Sequence, residues 1–324
     1  MAGRGVSYKG AKMILTVTMN PSIDTAYRLE GPLVIDDVNR VVPLKTAGGK
    51  GLNVTRVLGQ LGDDVVATGL LGGKMGEFLA DRMDEDGVVH DFARIAGESR
   101  VCIAVLHEGN QTEFLESGPE VSVEELEGFV EKFRGLAAKA DVVTMSGSLP
   151  RGVDAGCYAR LTKIAAEAGA KVLLDTSGAS LDAALSADAK PYLVKPNLSE
   201  LGGLLDREFD PGDLDAIREA ITEDGRFAGV AWVIVSMGAA GSAAFVGDDV
   251  YRAKAPRIEC VNATGSGDST IAGFAHGIAS GAEPAEVLRL GNACGTLNAM
   301  DPKTGHLPMD KWNEVYDGVE VTKL

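Results

Sequence analysis

The sequence predicts an α/β fold in which a mostly parallel sheet is covered by helices and a smaller β-sheet stands off it. Three observations carry that expectation. Short apolar runs alternate with helical patterns through most of the chain. Two stretches, about 25–46 and 92–117, keep β-type alternation with no helix between. Glycines fall in short runs between these segments, where turns and close approaches need them.

Taken in order, Ile14–Met19 is an apolar strand ending in Asn20-Pro21-Ser22-Ile23-Asp24. The glycine segment Ala47–Asn53 feeds an amphipathic helix through Leu61. Val101–Leu106 and Gln111–Leu115 predict a β-hairpin about a Gly109-Asn110 turn, either as a lid off the main domain or as an antiparallel edge of the same sheet. Ser122 and Glu125 have capping-box spacing and open the next helix. Asp141–Met145, Lys171–Leu174, Tyr192–Val194 and Trp232–Val235 read as strands, and Asp154–Glu167 as a helix closed by Gly169. Phe227–Gly247 is uncharged and long enough to span a bilayer, yet its glycines divide it into strand, turn and strand. The expected organisation is one domain over 13–324 carrying the two lid segments, with residues 1–12 as an extension.

Composition narrows the function. The chain has 324 residues, 45% of them hydrophobic and 24% charged, in the range of globular proteins. Its 31 Lys and Arg against 47 Asp and Glu give a formal charge of −16, which opposes binding to nucleic acid or to anionic membranes. Cys102, Cys157, Cys260 and Cys294 are scattered, and neither they nor the 4 histidines have zinc-ligand spacing. Reduced thiols and the lack of an apolar stretch in residues 1–12 lead us to expect a cytoplasmic protein.

Ligands of open parallel sheets sit beyond the carboxyl ends of the strands. Four successive strand ends here run into Ser146-Gly147-Ser148, Asp175-Thr176-Ser177-Gly178, Lys195-Pro196-Asn197 and Ser236-Met237-Gly238, which together predict a polar crevice. The sharpest signal is Gly265-Ser266-Gly267-Asp268 opening a helix through Ile278. Free amides and the helix dipole at such a turn suit phosphate oxygens. Asp268 is either a helix cap or the base that takes a proton from an attacking hydroxyl as a phosphoryl group arrives. Gly48-Gly49-Lys50-Gly51-Leu52-Asn53 suits a polyhydroxylated anion, or is a simple turn; it lacks the spacing and the Ser/Thr of a nucleotide P-loop. Asp24 is a candidate for sugar hydroxyls or a surface turn residue. Asn197 and Glu200 either cap a helix or help organise magnesium through water. Arg100 is a substrate-phosphate contact or a solvated side chain.

Together, Gly48-Gly49-Lys50-Gly51-x-Asn53, Lys195-Pro196-Asn197-x-x-Glu200 and Gly265-Ser266-Gly267-Asp268 resemble the ribokinase-like (PfkB) carbohydrate kinase family, in order from about Ile14 to Leu307. Thr18–Asp24 is similar to the phosphosugar branch, and Thr46–Leu58 and Cys102–Pro119 look most like tagatose-6-phosphate kinases. The resemblance implies the ribokinase-like three-layer fold, with a β lid that often clasps a second subunit. It implies Mg2+ and ATP as cofactors and a phosphosugar, most nearly D-tagatose 6-phosphate, as acceptor. Fructose 1-phosphate and fructose 6-phosphate kinases are the alternatives within the branch, and a non-catalytic sugar-phosphate binder is the alternative outside it. Asp268 is implied as base, with Gly265, Ser266 and Gly267 forming the anion hole. Asp24, Gly48, Gly49, Lys50 and Asn53 match sugar positions, and Arg100 the sugar phosphate. Lys195, Asn197, Ser236, Gly238 and Gly241 match nucleotide contacts, Asn292 a neighbour of the purine, and Glu200 the magnesium position. Gly-Ser-Gly-Asp stands where the family commonly has Gly-Ala-Gly-Asp, and Ser99 where the branch has Thr. A dehydrogenase is excluded by the absence of any Gly-x-Gly-x-x-Gly.

Overall fold

The computed structural model describes residues 13–324; the expected extension over 1–12 lies outside the described residues. Strands follow in chain order as β1 (Met13–Thr18), β2 (Ser22–Arg28), β3 (Pro43–Gly48), β4 (Asp64–Gly72), β5 (Ala93–Ile95), β6 (Arg100–His107) and β7 (Asn110–Leu115). They continue as β8 (Val142–Ser146), β9 (Lys171–Asp175), β10 (Leu193–Val194), β11 (Trp232–Ser236), β12 (Ser242–Val246), β13 (Asp249–Lys254) and β14 (Glu320–Lys323). The helices are α1 (Lys50–Leu61), α2 (Gly73–Glu85), α3 (Val123–Ala137), α4 (Cys157–Glu167) and α5 (Gly178–Ser186). After them come α6 (Leu198–Leu205), α7 (Leu214–Glu223), α8 (Ser266–Ser280), α9 (Pro284–Ala299) and α10 (Trp312–Gly318).

Every residue of β1 is buried, as a central parallel strand covered on both faces requires. Met13, Leu15 and Val17 join the core beneath α3, α4 and α5, whereas Ile14 points into the opposite core with α1, α8 and α9. That period of two divides the molecule into three layers. The main sheet has the order β14-β13-β12-β11-β10-β9-β8-β1-β4-β5, parallel from β11 to β5 and antiparallel from β11 to β14. This is the expected ribokinase-like arrangement. The uncharged stretch at 227–247 becomes β11, a glycine turn and β12, and no helix among the described residues is long and apolar enough to cross a membrane.

A separate four-stranded sheet, β3-β2-β6-β7, forms the smaller layer. Its boundaries correct the expected ones. Ala93–Ile95 lies within the predicted lid segment but pairs in parallel with β4 at the edge of the main sheet, so the lid strands of that segment begin at Arg100. The hairpin turn is Glu108-Gly109, one residue earlier than expected, because His107 pairs with Asn110. Both turn residues have positive φ, 48° and 76°, the type I′ combination whose twist matches the flanking strands. The Asp154 helix starts late, at Cys157, since the Asp154 carboxylate accepts from the Gly156 amide (2.7 Å) and closes a turn first. The Ser122–Glu125 capping box forms as predicted.

Candidate active site

The four polar strand ends line up side by side because their strands are neighbours in the sheet: Ser146 pairs with Asp175, and Asn197 bridges to Ser236. Opposite them stand the N-termini of α1 and α8, and the four-stranded sheet forms the far wall. The result is an open cleft of 1660 Å³. It brings together Asp24, Gly49, Lys50, Asn53, Arg100, Lys195, Asn197, Glu200, Ser236, Gly265, Gly267 and Asp268. Gly48, Ser266, Gly238, Gly241 and Asn292 are not among its lining residues. Asn292 is buried, and its amide donates to Leu288 O (2.8 Å) within α9 and to Ser242 Oγ (2.9 Å), the contact that joins α9 to β12.

Asp268 lies in the first turn of α8, whose N-cap Gly265 has a left-handed φ of 81°. A side chain at 265 would also meet Thr304 Cγ2 at 2.4 Å. The Asp268 carboxylate does not cap the helix. Its Oδ2 accepts from Asn53 Nδ2 at 2.7 Å, across the space between α8 and α1. The residue is 5% exposed, and burial together with the nearby Asp175 carboxylate pushes its pKa up from 3.8 to about 6, while Asn53, Lys50 and Lys195 act in the other direction. An acid so placed ionises in the range where a general base works at neutral pH.

The amides around it are unevenly used. Ser266 N–H donates to Ala263 O (3.2 Å), whereas those of Gly265, Gly267 and Asp268 have no protein acceptor among the described residues. Gly265 and Gly267, with the amide of Asp268 itself, are therefore the free donors, and Ser266 is spent on the turn.

On the lid side, Asp24 Oδ1 accepts from Ser22 Oγ at 2.6 Å. A side chain at Gly48 would lie 2.0 Å from the Asp24 Cγ, so glycine at 48 is what admits that carboxylate. Burial raises the Asp24 pKa. Arg100 is not a freely solvated side chain: Nε donates to Asn20 O (3.1 Å) and Nη1 to Glu116 O (3.0 Å), and Nη2 has no partner among the described residues.

Lys195 and Asp175 form a buried pair at 3.2 Å. Asp175, Asp268 and Glu200 together raise the Lys50 pKa, Asp175 most. Asn197 and Glu200 make a full capping box: Asn197 N–H donates to Glu200 Oε2 (2.9 Å) and Glu200 N–H to Asn197 Oδ1 (2.8 Å). No cluster of three or more His, Cys, Asp or Glu suited to a metal ion occurs among the described residues. Of the Glu200 carboxylate, Oε2 is engaged in the box and Oε1 has no protein partner among the described residues, so Oε1 is the oxygen that could meet a water of a hydrated cation.

Two residues of this site had no role in the sequence reading. Asp175 was visible as a polar strand end, but its pairing with Lys195 depends on two adjacent strands. Arg56, one turn after Asn53 on α1, also lines the cleft. Its i+3 spacing from Asn53 was the available signal.

Comparison with known proteins places this arrangement. The chain matches the pfkB family carbohydrate kinase over residues 17–312. Phosphofructokinase-2 from Escherichia coli, solved in complex with fructose-6-phosphate, is 26% identical over 95% of this chain and 98% of that one, with a TM-score of 0.84. The same enzyme has been solved as a tetrameric inhibited form. A Staphylococcus aureus protein provisionally assigned as a phosphofructokinase is 31% identical over 96% of this chain and 99% of its own, with a TM-score of 0.82. A Thermotoga maritima protein provisionally assigned as a 1-phosphofructokinase is 25% identical, covering 96% and 99%, with a TM-score of 0.84. Fold and cleft define a phosphotransferase that acts on an alcohol. The chain belongs to the pfkB family of carbohydrate kinases.

Proposed function

We propose that the protein transfers the γ-phosphoryl group of Mg-ATP to the free primary hydroxyl of a ketohexose phosphate, D-tagatose 6-phosphate giving tagatose 1,6-bisphosphate. The observation that carries the transfer chemistry is Asp268: a buried carboxylate beside free helix amides, with a pKa of about 6. In this reading Asp268 takes the hydroxyl proton as the oxygen attacks, and the amides of Gly265, Gly267 and Asp268 meet charge on the transferring group. Asp24, Gly49, Lys50 and Asn53 hold the sugar, Gly48 makes room for the Asp24 carboxylate, and Nη2 of Arg100, without a partner among the described residues, reaches its phosphate. Lys195, Asn197 and Ser236 face the nucleotide, Gly238 and Gly241 shape the turn that follows Ser236, and Asn292 braces the wall behind it through Ser242. Glu200 would hold magnesium through water, and the ion, when bound, would neutralise charge on the phosphates.

The preference for tagatose 6-phosphate rests on the likeness of 46–58 and 102–119 to tagatose-6-phosphate kinases. A second reading, phosphorylation of fructose 6-phosphate or fructose 1-phosphate, is favoured by the structural neighbours. Exposed apolar side chains on the lid, Leu44, Phe114 and Leu115, and on the β2–β3 connection, Ile35, Val38 and Val42, support a homodimer formed through this sheet. A cytoplasmic location follows from the chemistry proposed.

Steady-state kcat/KM with ATP on the three sugar phosphates tests the substrate, and the highest value decides between the readings. Asp268→Asn tests the mechanism: kcat should fall by at least ~10²-fold with little change in KM. A nearly fully active variant would remove Asp268 from the role of base, and binding without turnover by the unaltered protein would leave a sugar-phosphate-binding protein.

A further inference from the structure

The Arg56 guanidinium makes two directed contacts. Nη1 donates to Ala47 O at 2.6 Å, and Nη2 donates to Asn53 Oδ1. A guanidinium has donors and no acceptor, so the Asn53 atom facing it has to be the amide oxygen. The NH2 end of that amide then faces Asp268, where Nδ2 donates to Oδ2 at 2.7 Å. A carboxylate accepts there and cannot donate, so both neighbours demand the same amide orientation. Without Arg56, a half-turn of the amide would bring its oxygen against the carboxylate.

We infer that Arg56 is a positioning residue for the base: it fixes the Asn53 amide in the orientation that donates to Asp268, and through Ala47 it ties that orientation to the Gly48-Gly49 turn against which Asp24 packs. The inference rests on the proposed role of Asp268. It assigns Arg56 no contact with either substrate.

Several charged groups surround this relay, and three of them act on the proton affinity of Asp268. Asp175 at the end of β9 raises it; Lys50 on α1 and Lys195 after β10 lower it, as does the Asn53 hydrogen bond. Burial lowers the Arg56 pKa, and the Asp24, Asp86 and Asp268 carboxylates oppose it by favouring its charge. Glu200 on α6, and Lys303 and His306 in the segment before α10, line the same cleft. Among the described residues, Asn53 gives the carboxylate its single direct hydrogen bond, so loss of its orientation should appear as a basic shift of the ionisation.

The test is the pH dependence of kcat/KM, measured from pH 5 to 9 on Arg56→Met and Arg56→Lys after circular dichroism shows both to be folded. The acid limb of Arg56→Met should move up by about 1 pH unit, because a hydrogen bond that favours the charged form is lost together with a nearby positive charge. Arg56→Lys keeps one donor and the charge but not the fork, so it isolates the loss of orientation, and its limb should lie between those of the unaltered protein and Arg56→Met. Should Arg56→Met fail to fold, the shift in Arg56→Lys, about half a unit, carries the test. An acid limb that stays in place in a folded variant overturns the inference, even where kcat has dropped, since a purely structural role lowers activity without moving an ionisation. Asp268→Asn separates the two layers of argument. If it is inactive and the Arg56 limb is unmoved, the positioning role alone is wrong. If it retains full activity, the base assignment fails and the inference fails with it.

Discussion

Replacing Asp268 by Asn should disable catalysis and stabilise the fold. In the folded protein the carboxyl pKa stands at about 6 against 3.8 for the free side chain, chiefly because burial penalises the charge. A group whose folded pKa is raised favours folding in its protonated form, and that advantage is lost as pH rises from 3.8 through about 6. Ionised Asp268 therefore costs the native state on the order of 3 kcal/mol above that window, at 1.36 kcal/mol per pH unit. Asparagine is nearly isosteric, stays neutral, and its side-chain oxygen can still accept from Asn53. For a chain of 324 residues, recovering that cost raises Tm by about 4 °C, at ~2.1 cal/mol/K of unfolding entropy per residue. Differential scanning calorimetry of both proteins from pH 4 to 8 is the assay. The gain should be small at pH 4, grow through pH 5, and level off above pH 7. A variant no more stable than the parent at pH 7.5, or equally stabilised at pH 4 and pH 7.5, would refute the reasoning, since neither follows from a buried ionisation. Such a trade of stability for function is common at active sites.

Further outcomes follow from other parts of the structure. Gly48→Ala should raise the KM for the sugar phosphate by ~10-fold or more while leaving ATP binding in place, because its methyl group would displace the Asp24 carboxylate; titration calorimetry with each ligand checks this. His276 on α8 meets the Asp63 carboxylate at 3.0 Å, and this hydrogen bond raises its pKa above 6.5. Its contribution is complete below 6.5 and lost as pH rises through the folded value, so His276→Gln should flatten the fall in stability above pH 6.5, as denaturant unfolding would report. Ser122→Ala removes the α3 cap and should cost about 1 kcal/mol in urea unfolding. A charge on the lid, Phe114→Glu, should shift a dimer towards monomer in sedimentation velocity, and an unchanged sedimentation coefficient would take the dimer contact away from this face.

The order of elements was open to sequence reading because it depends on periodicity that each segment carries by itself. β1, β8, β9 and β11 are apolar runs of strand length, and Ser122 and Glu125 mark a helix start by local chemistry. Gly265–Asp268 likewise advertises a helix N-terminus with a carboxylate in its first turn. Where the outcome depended on which strand a segment pairs with, and in what register, the reading failed or stayed open. Ala93–Ile95 has the alternation of a lid strand, yet β4 pairs with it, and nothing in its own residues distinguishes the two sheets. The turn at Glu108-Gly109 was displaced by one residue because cross-strand register is a property of two strands together.

The same division runs through the site. Residue types and spacing alone determined that the chain offers glycine-rich helix starts, an acid among amides and polar strand ends in series. Tertiary structure decided what these groups do to one another: that Asn53 donates to Asp268, 215 residues away, that Asp175 pairs with Lys195, and that Arg56 holds both Ala47 O and the Asn53 amide oxygen. Local conformation is written into a few neighbouring side chains. Proton affinity and orientation depend on burial and on charges brought within a few ångströms by the folded sheet, and these exist only once the chain has closed on itself.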